Sequence, residues 1–196
     1  MELSNQRIFL HVQAKDYLFR YYKTLKRIFN NVLGHLEIDY IAIALLNKEH
    51  ELFFLSSSPA IEQNLIEYNL WQLDPCLQFD FFINNTPLLW NTVYCTKKQK
   101  LLHYYKIERP DFSAGISIAS NFSEHAIIYS FALRSKDIEI QKKLTTQIET
   151  LLSIGHFCFQ DIVKTVPLPD RKGGLASKKP YLKLIINNKV GHENIT

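Results

Sequence analysis

The chain has 196 residues, enough for one domain with extensions or for two small domains. Hydrophobic residues make up 46% and charged residues 21%, which predicts a packed core and excludes global disorder. Much of the net charge of +4 comes from lysine and arginine from Lys164 onward, so no nucleic-acid-binding face is indicated on the main body.

Cys76, Cys95 and Cys158 are widely spaced and form no CxxC or Cys/His pattern, so we expect reduced thiols and neither metal nor cofactor. The N-terminus lacks a secretory signal, and no apolar run reaches the roughly 18 residues that a transmembrane helix needs. We therefore expect a soluble, cytoplasmic protein that does not associate with membranes. No GxSxG, Walker A, GxGxxG or HExxH motif occurs, and no nucleophile–base pair stands out, so no catalytic residue and no enzyme are predicted.

Hydrophobic periodicity and turn residues predict the first elements. Apolar residues at three- and four-residue steps indicate a helix over 13–33, and Gly34 is typical of a helix end. Short β-branched segments at 38–46 and 51–57, joined by a polar turn, predict an antiparallel hairpin.

The later elements follow from Pro, Ser and Asn breaks and from apolar patterning. Three helices are predicted next: Ser58-Pro59 to Asn69, Asp74-Pro75 to Ile83, and 97–106 with Thr96 as its N-cap. The remaining predictions are strands at 113–119 and 126–134, a further strand near 88–95, and one long helix over 136–164 capped by Ser135.

This order of elements contains hairpins and no βαβ crossovers. It predicts an α+β fold, an α/β/α sandwich with a central antiparallel sheet like that of PAS/GAF sensor domains. We expect the sensing domain to span 1–166. The Pro-, Gly- and Lys-rich segment 167–196 is interpreted as a basic linker with a short C-terminal tail.

Asp74 stands among bulky apolar and aromatic residues, and two interpretations are open. Asp at N-cap followed by Pro75 is a favoured helix start. A carboxylate buried in such surroundings instead needs a hydrogen-bond donor, either a backbone amide of its own helix or the N–H of a ligand. Tyr68 and Trp71, just before Asp74, are candidate ligand-binding residues on the second interpretation.

Trp90 and Ser130 complete the set of candidate ligand-binding residues. Trp90, like Trp71, is either a core aromatic or part of a pocket wall whose indole N–H points at a ligand carbonyl. Ser130 interrupts the apolar strand IIYSFAL on the face that carries Ile128 and Ala132, where it is either tolerated or functional.

Residues 13–164 resemble the autoinducer-binding domain of LuxR-type quorum-sensing regulators. Three patterns carry the similarity: the aromatic-rich approach to Asp74-Pro75, Pro87-x-x-Trp90 followed by TKKQKLL, and Gly115-Ile116-Ser117 with Ser130 in the next strand. The resemblance implies that Asp74 accepts the amide N–H of an acyl-homoserine lactone. It also implies that Trp90 lines the lactone end and that Ser130 helps hold the acyl carbonyl.

The chain departs from the family pattern at two places. Counting back from Asp74, the family's Trp and two Tyr positions fall on Ile61, Ser57 and Leu65, and each lost donor weakens a polar ligand by about 1–3 kcal/mol. An acyl-homoserine lactone, another amphipathic ligand and an empty pocket all stay open. Residues 181–196 are too few for a helix-turn-helix domain, so we expect a receptor domain without a DNA reader.

The resemblance therefore predicts a ligand-sensing domain that acts through protein contacts. It implies a homodimer, or a heterodimer with a LuxR-type transcription regulator, and no direct DNA binding. The alternative is a ligand-free interaction or scaffold protein that keeps the sensor fold.

Overall fold

The computed structural model describes residues 7–84, 86–94, 99–122 and 125–168. In this part of the chain a six-stranded sheet lies between two layers of helices, in the order β1-β3-β2-β6-β5-β4. The strands are β1 (Phe9–Leu10), β2 (Tyr40–Leu46), β3 (Glu51–Ser56), β4 (Leu88–Leu89), β5 (Ala114–Phe122) and β6 (His125–Leu133).

Eight α-helices lie within the described ranges. They are α1 (Ala14–Arg20), α2 (Tyr22–Asn30), α3 (Pro59–Glu67), α4 (Phe79–Asn84), α5 (Trp90–Val93), α6 (Lys100–His103), α7 (Ile138–Thr146) and α8 (Ile148–Thr165). The α/β/α sandwich predicted from the sequence is confirmed.

Both predicted hairpins are present: β2 pairs with β3 and β5 pairs with β6, each antiparallel. β2 and β6 meet antiparallel at the centre of the sheet. The N-terminal strand β1 was not predicted, and it pairs parallel to β3. The sheet is therefore mixed at this edge and antiparallel elsewhere.

The two faces of the sheet belong to two separate apolar clusters. Ile41, Ile43 and Leu45 of β2 face α2, α7 and α8, whereas Tyr40 and Ala44 face the layer that runs from α3 to α6. Successive side chains of a strand point to opposite faces. Since both faces of β2 are covered, its sequence is apolar throughout instead of alternating.

Two long predicted helices are each divided in two. The helix predicted over 13–33 breaks at Tyr21, and that over 136–164 breaks at Gln147, whose φ of −114° lies outside the helical range. The predicted cap Ser135 is also wrong: Asp137 is the N-cap, and its carboxylate accepts the N–H of Glu139 at 2.8 Å.

The layer from α3 to α6 is more irregular than the sequence predicts. Asp74-Pro75 begins a 3-10 turn (Pro75–Leu77), and only then does α4 follow. The strand predicted near 88–95 is limited to the two residues of β4. After α6 the chain widens into a π turn over Tyr104–Glu108, with the N–H of Arg109 bonded to the carbonyl of Tyr104 at 2.8 Å.

Several predictions fall on residues outside the described ranges. These include the proposed N-cap Thr96 and the tail from residue 169 onward. Among the described helices, none combines the length and the apolar character needed to cross a bilayer.

Candidate ligand-binding site

Asp74 lies between two 3-10 turns, and its side chain has no exposed surface. Its backbone is extended, and one carboxylate oxygen, Oδ1, accepts the backbone N–H of Cys76 at 2.9 Å. Asp74 therefore caps the turn Pro75–Leu77, in agreement with the helix-start interpretation. The donor in this contact is a backbone amide of its own turn.

The other donors to this carboxylate come from two distant segments. Lys106 Nζ lies 2.6 Å from Oδ2 of Asp74, and the Tyr94 hydroxyl donates to Oδ1 at 2.8 Å. Lys106 also donates to the Tyr94 hydroxyl oxygen at 2.5 Å. We call this group the Asp74–Tyr94–Lys106 cluster, and it joins three segments of the helical layer.

Aromatic rings surround the ammonium group of Lys106. It lies 4.5 Å from the ring centroid of Trp90 and 5.0 Å from that of Tyr94, within cation–π range. Lys106 is only 4% exposed and Asp74 is 0% exposed, so water solvates neither charge. Each charge therefore depends on the other for compensation.

The environment also sets the protonation of Tyr94 and Cys76. Burial raises the pKa of the Tyr94 phenol well above its usual range, and the Asp74 charge acts in the same direction. The phenol thus keeps the proton that it donates. Burial, with Asp74 as the second cause, raises the pKa of the Cys76 thiol to about 11, so the nucleophilic thiolate is disfavoured.

Trp90 and Ser130 meet through a third residue. The indole N–H of Trp90 donates to the Ser117 hydroxyl at 2.9 Å, and the hydroxyls of Ser117 and Ser130 lie 2.9 Å apart. Ser117 and Ser130 are paired residues of β5 and β6. Since Lys106 lies over the same indole, this chain of hydroxyls adjoins the Asp74–Tyr94–Lys106 cluster.

The close approach of Trp90 to the sheet requires a glycine. A Cβ atom added to Gly115 would lie 2.2 Å from the Trp90 ring, far inside van der Waals contact. Any side chain at this position would displace the indole from β5. This explains in physical terms the glycine that begins the Gly115-Ile116-Ser117 pattern.

A further buried polar group, the carboxyl of Glu62, lies on α3. The Tyr40 hydroxyl donates to Oε1 of Glu62. Burial raises the pKa of this carboxyl, and hydrogen bonds from Ser56 and Tyr40 lower it in part. The second oxygen, Oε2, has no hydrogen-bond partner among the described residues.

Small residues, three serines and one alanine, cross the sheet in one row on the face toward α3–α6. Each is the register partner of the next on four adjacent strands, and we call them the serine row: Ser56, Ala42, Ser130 and Ser117. The row begins beside Glu62 and Tyr40 and ends beside Trp90. It therefore connects the two buried polar groups of the site.

The central strands carry small, buried side chains on this face. Ala42 and Ala44 are 5% exposed and Ser130 is 9% exposed, and Ile128 and Ala132 on the same face are 0% exposed. The helical layer therefore covers a stretch of sheet where β2 and β6 present alanine and serine instead of larger side chains.

Trp71 and Tyr68 lie outside these contacts. Trp71 is buried beside a cleft of about 560 Å³, whose walls come from β1 and from residues 71–79. Its indole N–H has no partner among the described residues. Tyr68 is half-exposed and stacks on Tyr105, with ring centroids 4.9 Å apart.

Known structures share this architecture at low sequence identity. Escherichia coli SdiA aligns with a TM-score of 0.55 and 13% identity, over 80% of this chain and 71% of that chain. SdiA in complex with octanoyl-rac-glycerol gives 0.53 and 14%, over 85% and 72% of the two chains. The N-acylhomoserine lactone dependent LuxR-family transcription factor CepR2 from Burkholderia cenocepacia gives 0.53 and 11%, over 77% and 92%. No protein-family model and no curated protein matches the sequence.

The chain has the fold of a LuxR-type autoinducer-binding domain. Within this LuxR-type fold, Asp74, Trp90 and Ser130 lie in one buried region, linked through Lys106 and Ser117. The positions where the family's donors are replaced are structural in this chain. Ile61 and Leu65 are buried in the apolar cluster, and the Ser57 hydroxyl accepts the N–H of Ile41 at 3.0 Å.

The sequence analysis missed Tyr94, Lys106 and Glu62. The partners of Asp74 lie 20 and 32 residues away along the chain, a distance that local patterns do not encode. Two signals were available. Lys106 stands between Tyr105 and Ile107 in an apolar run, and Glu62 precedes Leu65 by three residues, on the buried stripe of α3.

Proposed function

We propose that this chain is a ligand-sensing domain that binds a small amphipathic molecule between the sheet and the α3–α6 layer. The observation that carries the proposal is the set of small side chains, Ala42, Ala44 and Ser130, on the sheet face beside the buried polar groups. Hydroxyls lie at one end of this face and apolar side chains at the other. A mostly apolar pocket with a few placed polar groups is typical of small-molecule sites.

The neighbouring structures support the same class of ligand. CepR2 is described as N-acylhomoserine lactone dependent, and SdiA is described in complex with octanoyl-rac-glycerol. Both molecules join an acyl chain to a polar head group. We propose either a molecule of this kind or a divergent amphipathic ligand for this chain, with no catalytic role.

In this proposal the residues of the site have distinct roles. Asp74 accepts three hydrogen bonds from the protein itself, while a carboxylate offers about four acceptor positions. Asp74 therefore holds Lys106 in place, and the ammonium and the Ser130 hydroxyl face the polar end of the ligand. Trp90 forms the wall at that end. Trp71 belongs to the apolar cover, with Tyr68 at its outer edge.

The test is mass spectrometry of small molecules extracted from the purified protein. Ala44→Leu would fill the proposed pocket without changing its polar groups. Ala60→Leu makes the same change at an exposed position of α3 and is the control. We expect a bound molecule in the wild type and in Ala60→Leu, and at least about tenfold less in Ala44→Leu. Equal amounts in all three proteins would contradict a pocket at Ala44.

A ligand-free interaction protein is the second candidate. The observation that favours it is the Asp74–Lys106 ion pair, because the carboxylate is compensated without any ligand. This function predicts that no small molecule is extracted and that added acyl compounds leave the unfolding midpoint unchanged. It also predicts that Ala44→Leu destabilises the fold, because the pocket is then filled by the protein's own side chains and the added volume overpacks it.

We further propose that the domain acts through protein contacts, as a homodimer or with a LuxR-type regulator. Phe19 on α1 and Phe157 on α8 are both 47% exposed, so each offers apolar surface that such a contact would cover. Light scattering and co-purification with a full-length LuxR-type regulator test the proposal, and Phe157→Asp should weaken the complex. Absence of both complexes, with and without ligand, would reject it.

A further inference from the structure

Glu62 has a buried carboxyl oxygen that the protein leaves unpaired. Its side chain is 2% exposed, and Oε2 has no hydrogen-bond partner among the described residues. Buried polar atoms in folded proteins are nearly always paired, because an unpaired one costs about 1–3 kcal/mol. An unpaired oxygen on a buried carboxyl therefore points to a missing partner.

The position of Glu62 connects it to the proposed pocket. Tyr40 and Ser56 contact its carboxyl, and Ser56 is the register partner of Ala42 in the serine row. Neighbouring strands lie about 4.8 Å apart, so Ser56 and Ser130 are separated by roughly 10 Å. Polar groups thus lie on both sides of Ala42.

The next row on the same face of the sheet is apolar. It lies two residues further along each strand and consists of Phe54, Ala44, Ile128 and Ala119. A molecule resting on this floor would place its polar head over the serine row and its chain over the apolar row. The floor is therefore amphipathic in a defined direction.

The charged side chains near the proposed pocket favour one class of ligand head group. Burial raises the pKa of the Glu62 carboxyl, and the positive charge of Lys106 is among the causes that lower it in part. A cationic head would be repelled by Lys106, and an anionic head would meet the carboxyl of Glu62. A neutral head is repelled by neither.

We propose that Glu62 is a specificity-determining residue for a ligand whose neutral head group carries hydroxyls. A hydroxyl both donates and accepts, so it can pair with Oε2 in either protonation state and with the hydroxyls of the serine row. Ester and lactone oxygens only accept. The inference rests on the proposed ligand-binding function and adds the chemical class of the ligand.

The test compares compounds that share a ten-carbon chain and differ in the polar head group. Tryptophan fluorescence from Trp71 and Trp90 reports titrations, below the micelle concentration, with a decyl vicinal diol, methyl decanoate and decylamine. We expect the wild type to prefer the diol by about tenfold, the ratio expected for one net hydrogen bond. The diol should raise the unfolding temperature accordingly.

Variants on α3 assign this preference to one carboxyl. Glu62→Leu should abolish the preference, whereas Glu62→Gln, whose amide both donates and accepts, should keep most of it. Glu67→Gln changes an exposed carboxylate of the same helix and should leave the preference for the diol unchanged. If Glu62→Leu does not fold, Ala42→Val narrows the serine row and should weaken the diol more than the ester.

The outcomes separate this inference from the proposed function. If none of the three compounds binds the wild type, ligand binding itself fails. If they bind with equal affinity, if decylamine binds best, or if Glu62→Leu keeps the preference for the diol, the role of Glu62 is overturned while ligand binding stands.

Discussion

The ion pair between Asp74 and Lys106 is buried, and such pairs are costly to break from one side. Lys106→Met removes the cation but keeps most of the side-chain volume, so Asp74 is left charged in an apolar region. We expect the free energy of unfolding to fall by about 3–5 kcal/mol. Urea denaturation followed by circular dichroism measures this loss.

An exposed ion pair provides the matched control. Lys15 pairs with Glu67 at 2.5 Å on the surface, so Lys15→Met should cost less than about 1 kcal/mol. The double variant Asp74→Leu/Lys106→Met replaces the buried pair by apolar groups and should regain much of the loss. If the two lysine variants were equally stable, the buried ion pair would not contribute as we describe.

Glu62 makes stability fall as the pH rises. Burial raises the pKa of its carboxyl above the usual 4.5, so the unfolded chain releases this proton first. Stability is full below the usual pKa and is lost as the pH rises toward the folded pKa, by about 1.4 kcal/mol per pH unit. Glu62→Gln cannot titrate, so its stability relative to the wild type should improve over this range.

Glu67 should show the opposite sign in the same measurement. Hydrogen bonds from Lys15 and Gln63 lower the pKa of the Glu67 carboxyl in the folded state. The folded state therefore favours the charged carboxylate. The free energy of unfolding of Glu67→Gln should then decrease relative to that of the wild type as the pH rises. A pH-independent difference between Glu62→Gln and the wild type would contradict the burial of that carboxyl.

The contact between α5 and β5 depends on a missing side chain. Gly115→Ala places a methyl group within 2.2 Å of the Trp90 ring, and we expect a loss of about 1–3 kcal/mol in stability together with altered tryptophan fluorescence. Trp90→Phe shortens the ring. The loss of stability in the double variant should therefore be smaller than the sum of the losses in the two single variants. Strictly additive losses would indicate that the Trp90 ring moves freely.

Hydrophobic patterns predicted the strands better than the ends of the helices. β2 and β3 lie within two residues of their predicted bounds, because short β-branched runs between turn residues have few other structures available. The breaks at Tyr21 and Gln147 carry no proline or glycine, and the apolar stripes continue across both. Tertiary packing causes these breaks, so hydrophobic periodicity along the sequence does not predict them.

The candidate site was predicted as separate parts, without the connections between them. The resemblance to the LuxR-type family pointed to Asp74, Trp90 and Ser130, because each belongs to a local pattern, and their ligand-binding roles stay predictions. The side chains that pair with or bridge these residues, Lys106 and Ser117, lie on other elements. Such pairings depend on the whole fold, and a single sequence contains no direct record of them.

The two halves of the sandwich should differ in local stability. One face of the sheet is covered in part by α8, which has 18 residues, whereas α5 and α6 on the other face have 4 residues each. Short helices hold few hydrogen bonds and open more readily. We expect amides of α4–α6 to exchange with deuterium before those of β2, β6 and α8.

Hydrogen-exchange mass spectrometry measures this order on the intact chain. A ligand bound in the proposed pocket should slow exchange mainly in α3–α6, which cover it. Uniform exchange across both layers would contradict a difference in local stability. Protection that appeared only in α8 on adding the ligand would place its binding site on the other face of the sheet.

The π turn over Tyr104–Glu108 gives the site an unusual sensitivity to chain length. An α-helix turns by about 100° per residue, and a π turn accommodates one residue more than the α-helical turn would. Deleting one residue here would rotate Lys106 away from Asp74, although the remaining residues would keep their identities. The pairing of the Asp74 and Lys106 charges thus depends on one extra residue in this turn. An insertion or deletion there would leave Asp74 without its cation, as a substitution of Lys106 would.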